Sequence, residues 1–384
     1  MQTAENRPAE RLKYTHGKGY VLYTRKREEK TFFMKKIAIC GDFLGKKITG
    51  IQRVAYETVS ELDKLVAKGS VVLVIPKNVK ERPEYENIEV VAIHSDNGNR
   101  HFWIQWWFAL YIIKNRMTAL TFCNEVPILK PGIAYLHDIY YKLYPEIYRT
   151  AGEKLTRMFV LMLYRSITRR AKCVITDSET SKKEIIQEYN ISKNRIDVIG
   201  GGWQHILRIQ PDCSVFERTD KIPAGEYYFT LGSITERKNI KWIFQYAKKH
   251  RNEIFVCSGK APRDKLDIPE NVKYLGYVSD EQMMALYSDC KAFIFPSLYE
   301  GFGLPPLEAM AAGARVIVSN ASCLPEIYGH SVCYIDPYNT DVELSELLAL
   351  QKNNVQFKED ILNRYSWEKS AERLHKIMKM IAEE

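Results

Sequence analysis

The feature that most limits the folds open to this 384-residue chain is a hydrophobic period that switches repeatedly between strand-like and helix-like. Residues 36–40 read as an apolar strand and 53–68 as an amphipathic helix, while 71–75 suits a strand buried on both faces. Strands follow at 133–136 and 173–176 with a long helix at 153–171 between them, then a helix at 181–189 and a strand at 195–199. Such alternation predicts a parallel sheet covered by helices on both faces. Gly200, Gly201 and Gly202, followed by the turn-rich stretch 211–223, interrupt it. The pattern then restarts, with strands at 227–231, 254–257, 292–295 and 316–319 and helices at 239–250, 281–288 and 306–312. The expected architecture is α/β: two Rossmann-like domains, 34–205 and 206–365, facing a central cleft. Ligands bind at the carboxyl ends of strands in such sheets. A last helix at 367–381, within the segment 366–384, has no strand after it and is expected to cross back to the first domain.

Residues 1–33 are polar, charged and aperiodic, and an apolar strand opens abruptly after Met34. They are expected to be an extension or a misassigned start, whose deletion leaves activity intact. The net charge of +9 is uneven: +4 in residues 1–33, +8 in 34–205 and −3 in 206–384. A basic first domain either meets an anion (phosphate, lipid headgroup or nucleic acid) or carries a solvated excess of charge. No apolar run reaches the roughly 18 residues needed to cross a bilayer, and the N-terminus lacks the pattern of a signal peptide. The eight cysteines stand singly, with no C-x-x-C pair. That spacing predicts reduced, mostly buried thiols in a cytoplasmic protein rather than disulfides, a zinc site or a catalytic thiol.

Chemistry concentrates in 293–313, Phe-Ile-Phe-Pro-Ser-Leu-Tyr-Glu-Gly-Phe-Gly-Leu-Pro-Pro-Leu-Glu-Ala-Met-Ala-Ala-Gly. A buried strand runs into a glycine turn, and Pro305 and Pro306 pre-set the first turn of a helix, where their missing N–H groups have no intrahelical partner anyway. The amides of Phe302, Gly303 and Leu304 are left at a helix start, where the positive end of the dipole favours an anion. Gly301 and Gly303 allow close approach of a ligand. Glu300 precedes the turn and Glu308 lies in the first turns of the helix. Two carboxylates flanking an anion site suit a ligand with hydroxyls on either side of its phosphates, as in a nucleotide-sugar.

This segment resembles the signature of the family-four retaining glycosyltransferases of GT-B fold. The likeness continues through 308–320, Leu324-Pro-Glu326, Leu231-Gly-Ser-Ile-Thr-Glu-Arg-Lys-Asn239, Tyr274-Leu-Gly-Tyr-Val278 and Tyr365-Ser-Trp367. It is dense after residue 225 and thin before it. The resemblance implies a hexosyltransferase that retains configuration, with a nucleotide-diphosphate sugar as donor and a glycan or lipid-linked glycan as acceptor, acting in bacterial-type surface polysaccharide assembly. Glu308 would hold the donor ribose, Glu300 a hydroxyl of the transferred sugar, and the amides of Phe302 to Leu304 the sugar and diphosphate. Lys238, with Arg237 beside it, would neutralise the departing diphosphate. Many relatives place an arginine where this chain has Ser233, which would still border the donor.

In the first domain, Tyr135-Leu-His-Asp138 follows a strand and puts His137 at the cleft, where it is either a structural histidine or, as the resemblance implies, a sugar contact; Asp138 either orients that ring or caps the next turn. Gly50 opens the helix after the first strand, where its backbone can approach the diphosphate, and Arg53 either meets phosphate or begins the helix. Asp177-Ser178-Glu179-Thr180-Ser181 reads either as the cap of the helix after it or as part of the acceptor-site lining. Neither an Asp-x-Asp loop nor a His/Cys zinc pattern is present, so no metal and no other cofactor is expected. The aromatic run 101–111 reads either as a core helix or as an interfacial patch. Lys154, Arg157, Arg165, Arg169 and Lys172 share one face of the long helix, so peripheral contact with an anionic membrane is a further expectation. The rival readings are another GT-B enzyme, an epimerase or phosphorylase, and a basic nucleic-acid-binding protein. No nucleic-acid module is recognisable, and the acidic cleft residues would repel a phosphate backbone, so no nucleic-acid partner is expected.

Overall fold

The computed structural model describes residues 36–383 apart from 219–221, 234, 260, 262–266 and 351–354. The extension read at 1–33 lies outside the described residues. Two parallel sheets carry the fold. The first has strands β1 (Ile37–Cys40), β2 (Val71–Pro76), β3 (Glu89–Ile93), β4 (Thr118–Thr121), β5 (Ile133–Tyr135), β6 (Cys173–Thr176) and β7 (Ile196–Val198), in the order β3-β2-β1-β4-β5-β6-β7. The second has β8 (Tyr227–Leu231), β9 (Ile254–Ser258), β10 (Val272–Tyr274), β11 (Ala292–Phe295), β12 (Val316–Ser319) and β13 (Cys333–Ile335), in the order β10-β9-β8-β11-β12-β13. These are two Rossmann-like α/β domains. In each sheet the chain builds outward from the first strand, then jumps back beside it. The reversal falls between β1 and β4 and again between β8 and β11, the switch points where such sheets open a crevice.

Central strands such as β2 and β11 are buried along their whole length, which is why they read as unbroken apolar runs. On one face of the first sheet, Ala38, Val72 and Ala119 receive Trp103, Ile104 and Phe108. Ala134 and Val174 receive Leu163, Tyr164 and Ile167 of the helix Ala151–Arg170. The pairing of Ala38 with Ala119 and of Thr121 with Ala134 puts both groups on the same sheet face. The helix over 100–114 is not uniform: Trp103–Phe108 is π-helical, flanked by the α-helical turns Arg100–Phe102 and Ala109–Lys114. The opposite face carries the helix Gly50–Asp63 and, packed with it, Ala371, Leu374, Ile377, Met378 and Ile381 of the final helix Trp367–Glu383.

Local signals set the helix starts. Thr150 and Glu153 form a reciprocal capping box, as do Ser279 and Gln282. Ser178 accepts from Ser181 N at the start of Glu179–Tyr189. The helix after the Gly301–Gly303 turn runs from Leu304 to Ala311, two residues earlier than its apolar pattern, because the prolines sit inside its first turn.

Candidate active site

The residues singled out by motif follow the carboxyl ends of the switch-point strands. Lys238 lies after β8 and Glu300 after β11, so neighbouring strands deliver them to one place. The Lys238 Nζ stands 2.6 Å from Glu300 Oε1 and 4.9 Å from the centre of the Phe295 ring. Glu300 is buried, and its backbone is tied on both sides: its N–H donates to Ser322 Oγ at 3.2 Å, and its carbonyl accepts from Ser322 Oγ at 2.8 Å and Cys323 Sγ at 3.2 Å. Burial, and then the charge of Glu300, push the Cys323 thiol well above its usual range, so it donates rather than acting as a nucleophile. A buried carboxylate held this tightly cannot swing away from its lysine.

Gly301 and Gly303 are required sterically. A Cβ at Gly301 would lie 2.6 Å from the carbonyl of His137 in the other domain, and Gly303 has φ +84° with Leu324 Cδ2 2.6 Å from the same imagined atom. The side chains of Phe302 and Leu304 are buried in the core of the second domain, Phe302 edge-on to Tyr365 at 5.1 Å. What this turn offers a ligand is therefore backbone N–H at the start of Leu304–Ala311.

His137 is buried with both ring nitrogens engaged: Nδ1 with the Asp177 carboxylate at 2.8 and 3.0 Å, Nε2 with the Phe122 carbonyl at 2.6 Å. Both partners only accept, so both nitrogens donate and the ring is an imidazolium. Burial works against that charge, but Asp177, by charge and hydrogen bond, together with the Phe122 carbonyl, outweighs it and raises the imidazole above its ordinary value. The ring nitrogens are thus spoken for by protein, and His137 meets the glycine turn at Gly301 through its carbonyl. Asp177, read from sequence with the helix cap, is the group that orients the ring. Of the two roles open to Asp138, it takes the cap, accepting from Tyr140 N at 3.0 Å, and it also faces Arg237 Nη1 at 3.5 Å. Burial of Arg237 is outweighed by Glu300 and then Asp138, which raise the guanidinium further.

Glu308 lies apart from this cluster, in a recess lined by Arg53, His205, Ile206, Asp280, Tyr287 and Glu308 itself. His205 Nε2 is 3.0 Å from Glu308 Oε1. Arg53 does not begin its helix, which opens at Gly50; its guanidinium pairs with Asp280 across the recess and lies 3.8 Å from Glu57. Gly50 opens the Gly50–Asp63 helix with no atom within 4 Å of where a Cβ would stand. Ser233 Oγ is 3.2 Å from Thr235 Oγ1 and bonds neither glutamate among the described residues. The structure thus joins Glu300, Gly301, Lys238, Arg237, His137 and Asp138 into one cluster. Glu308 and His205 form a second, and Gly50 and Ser233 stand outside both. His205 and Asp280 carry no motif signal; a lone histidine after three glycines was the only hint of the former. Among the described residues, no three His, Cys, Asp or Glu side chains are placed to hold a metal ion.

The model "Glycosyltransferase Family 4" matches residues 48–203 and "Glycosyl transferases group 1" matches 214–364. The fold is that of a GT-B protein, and the chain belongs to the group 1, family-four-like glycosyltransferases. It is 29% identical over 236 residues to O-antigen chain mannosyltransferase B of Escherichia coli, 57% of this chain and 61% of that one, so the match spans less than two thirds of that relative. It is 27% identical over 274 residues to O-antigen chain mannosyltransferase RfbU of Salmonella typhimurium, covering 68% and 72%. Among solved structures, sucrose-phosphate synthase from Thermosynechococcus elongatus superposes with a TM-score of 0.68 at 16% identity, over 90% of this chain and 99% of that one, a likeness of fold.

Proposed function

We propose that this chain transfers a hexose from a nucleotide-diphosphate sugar to a hydroxyl of a glycan or lipid-linked glycan, with retention of configuration, in the assembly of a surface polysaccharide. The observation that carries the reading is the Lys238–Glu300 pair, fixed at 2.6 Å beside the amide-lined start of a helix, with the Glu308 recess nearby. In this reading the diphosphate lies on the amides of Phe302, Gly303 and Leu304. The bond from the sugar's anomeric carbon to the diphosphate oxygen breaks, and the diphosphate leaves with the electron pair. The acceptor oxygen bonds to the anomeric carbon on the same face, and its proton passes to the departing diphosphate. Lys238 and Arg237 stabilise the charge that develops, an effect available because they are already in place. Glu300 accepts from a sugar hydroxyl while anchoring Lys238, Glu308 accepts from the ribose, and the His137 imidazolium fixes the peptide that abuts Gly301. These fixed cations and the helix start supply the positive charge, so no divalent metal enters the scheme. The names of the O-antigen mannosyltransferases support a sugar polymer as product and mannose as the first donor to try. Incubation with GDP-mannose and UDP-hexoses plus lipid-linked acceptors, followed by NMR of the product, tests it. A new glycosidic bond with the donor's anomeric configuration is expected; an inverted bond, an epimerised donor without acceptor, or phosphate-dependent cleavage would contradict it.

The same reading includes contact of the first domain with an anionic membrane. Of the fifteen large apolar side chains exposed among the described residues, eight lie in the layer formed by the helix over 100–114, the 126–130 loop and Ala151–Arg170. Phe102, Trp106, Leu110 and Ile113 line the outer side of the first, Leu155, Met158 and Met162 that of the last, and Leu129 rises between them. Gln105 and Ser166 both bond the intervening loop, from Val126 to Ile128, and His101 and Phe159 meet edge-to-face at 5.5 Å, so the two helices form one surface. Lys114, Lys154, Arg165 and Arg169 are exposed around it. An apolar patch ringed by cations suits the boundary of an anionic bilayer. No helix among the described residues is long and apolar enough to cross a membrane.

A further inference from the structure

The His205–Glu308 contact has a third member. Trp367 Nε1–H donates to His205 Nδ1 at 3.1 Å, inside the fold where His205 is almost wholly buried. An indole nitrogen only donates, so Nδ1 must accept and the ring proton sits on Nε2, aimed at Glu308 Oε1 at 3.0 Å. The chain around His205 is held as well: Gln204 Oε1 accepts from Trp367 N at 3.1 Å, and Ser370 Oγ donates to the Gly200 carbonyl at 2.7 Å. The donor-side carboxylate is therefore gripped by one oxygen from the interdomain connection, which is itself tied to the first turn of the final helix. Among the described residues no hydrogen bond reaches Glu308 Oε2, and the side chain borders the recess.

We propose that His205 and Trp367 are positioning residues for donor recognition: they lock Glu308 in the rotamer and orientation that present Oε2 to the ribose diol of a nucleoside diphosphate. The inference rests on the reading of Glu308 as the ribose carboxylate and adds what aims it. A flexible carboxylate must be ordered on binding, and each immobilised side chain lowers affinity; a carboxylate already held by a neutral imidazole avoids that loss. The fixed tautomer matters because the opposite one would set a lone pair against a carboxylate oxygen.

The test reads ribose recognition apart from general affinity. Binding of UDP and GDP, and of their 2′,3′-dideoxy forms, is titrated calorimetrically on the full-length protein, wild type and variants. Wild type should prefer a ribo form over its dideoxy form on the order of tenfold or more, the scale of a hydrogen bond to a charged group. His205→Leu and Trp367→Phe should lose most of that preference while binding the dideoxy form about as well as wild type. His205→Gln, whose amide can donate to Glu308, should recover much of it, which a merely structural role would not give. Preference retained in His205→Leu but lost in Glu308→Ala overturns the positioning role and leaves the ribose reading standing. Absence of preference in wild type, or its survival in Glu308→Ala, overturns both. Thermal midpoints recorded alongside identify a variant that has simply unfolded, and His205→Gln then decides the question.

Discussion

Lys238 has its charge in place before any ligand arrives, held by Glu300 at 2.6 Å. Removing it has two separable consequences. Losing a pre-placed cation opposite the leaving group should lower kcat about 10²–10³-fold, a change steady-state kinetics of Lys238→Met would show. It also strands a buried carboxylate, which costs about 3–5 kcal/mol when a pair is broken from one side. Lys238→Met combined with Glu300→Gln should therefore regain thermal stability without regaining activity; joint recovery would mean that the pair is only structural. His137 predicts a pH dependence of definite sign. Its folded value is raised, so the Asp177 pair contributes fully below about pH 6.5, the ordinary imidazole value, and fades as pH rises through the folded value. The Tm difference between wild type and His137→Gln should be largest near pH 6 and shrink toward pH 9. A difference that grows with pH would contradict the assigned charge.

Among the elements, the helix over 100–114 shows best how a single pattern can serve two faces. Its π-helical segment turns Trp103, Ile104 and Phe108 onto the sheet while Phe102 and Trp106, each 53% exposed, face outward. The core-helix reading holds for Trp103, Ile104 and Phe108, and the outward side chains are those on which the proposed membrane contact rests. Phe102, Trp106 and Met158 exchanged together for serine should cut co-sedimentation with anionic vesicles at least about tenfold, since each inserted apolar side chain is worth about 1.5–3 kcal/mol. The Tm should barely move, because exposed side chains add little to folding stability. Sedimentation equal for neutral and anionic vesicles, or absent with both, would remove the membrane reading. The strands legible in advance were β1, β2, β5, β6, β7, β8, β9, β11 and β12, each an apolar run set off by helical or turn-rich sequence. Those missed are the edge strands β3, β10 and β13, where one side of the strand has no neighbour to demand apolar residues, and β4, whose Thr118-Ala-Leu-Thr121 lacks the apolar density. The donor turn was legible because its chemistry is contiguous in the chain. Pairings such as His137 with Asp177 and His205 with Glu308, 40 and 103 residues apart, become visible only when the fold closes.

Across the whole molecule the two domains are fastened around the cleft by polar contacts rather than by apolar packing alone. The Glu326 carboxylate accepts from Glu179 N at 2.8 Å and from Thr180 N and Oγ1 at 2.7 Å, so a residue of the second domain caps a helix of the first. Tyr299 OH donates to Glu184 at 2.7 Å, and Arg237 faces Asp138. Glu326→Ala should destabilise the domain contact by about 0.5–2 kcal/mol, the scale of a lost helix-start cap together with its dipole partner. Small-angle scattering should then report a larger radius of gyration in the ligand-free state, and an unchanged radius would show that the fastening lies elsewhere. The final helix matters at the same scale, since it carries Trp367 to the Glu308 side and packs on the first sheet. All of this serves one claim, that the cleft grips a nucleoside diphosphate between Lys238 and Glu308. A thermal-shift titration of wild type, Lys238→Ala and Glu308→Ala with UDP, GDP and ADP measures it most directly. At least one diphosphate should stabilise wild type by about 2.7 kcal/mol at a hundred times its Kd, and each variant should need on the order of tenfold or more ligand for the same shift. Wild type indifferent to all three, or variants that respond as wild type does, would contradict the account.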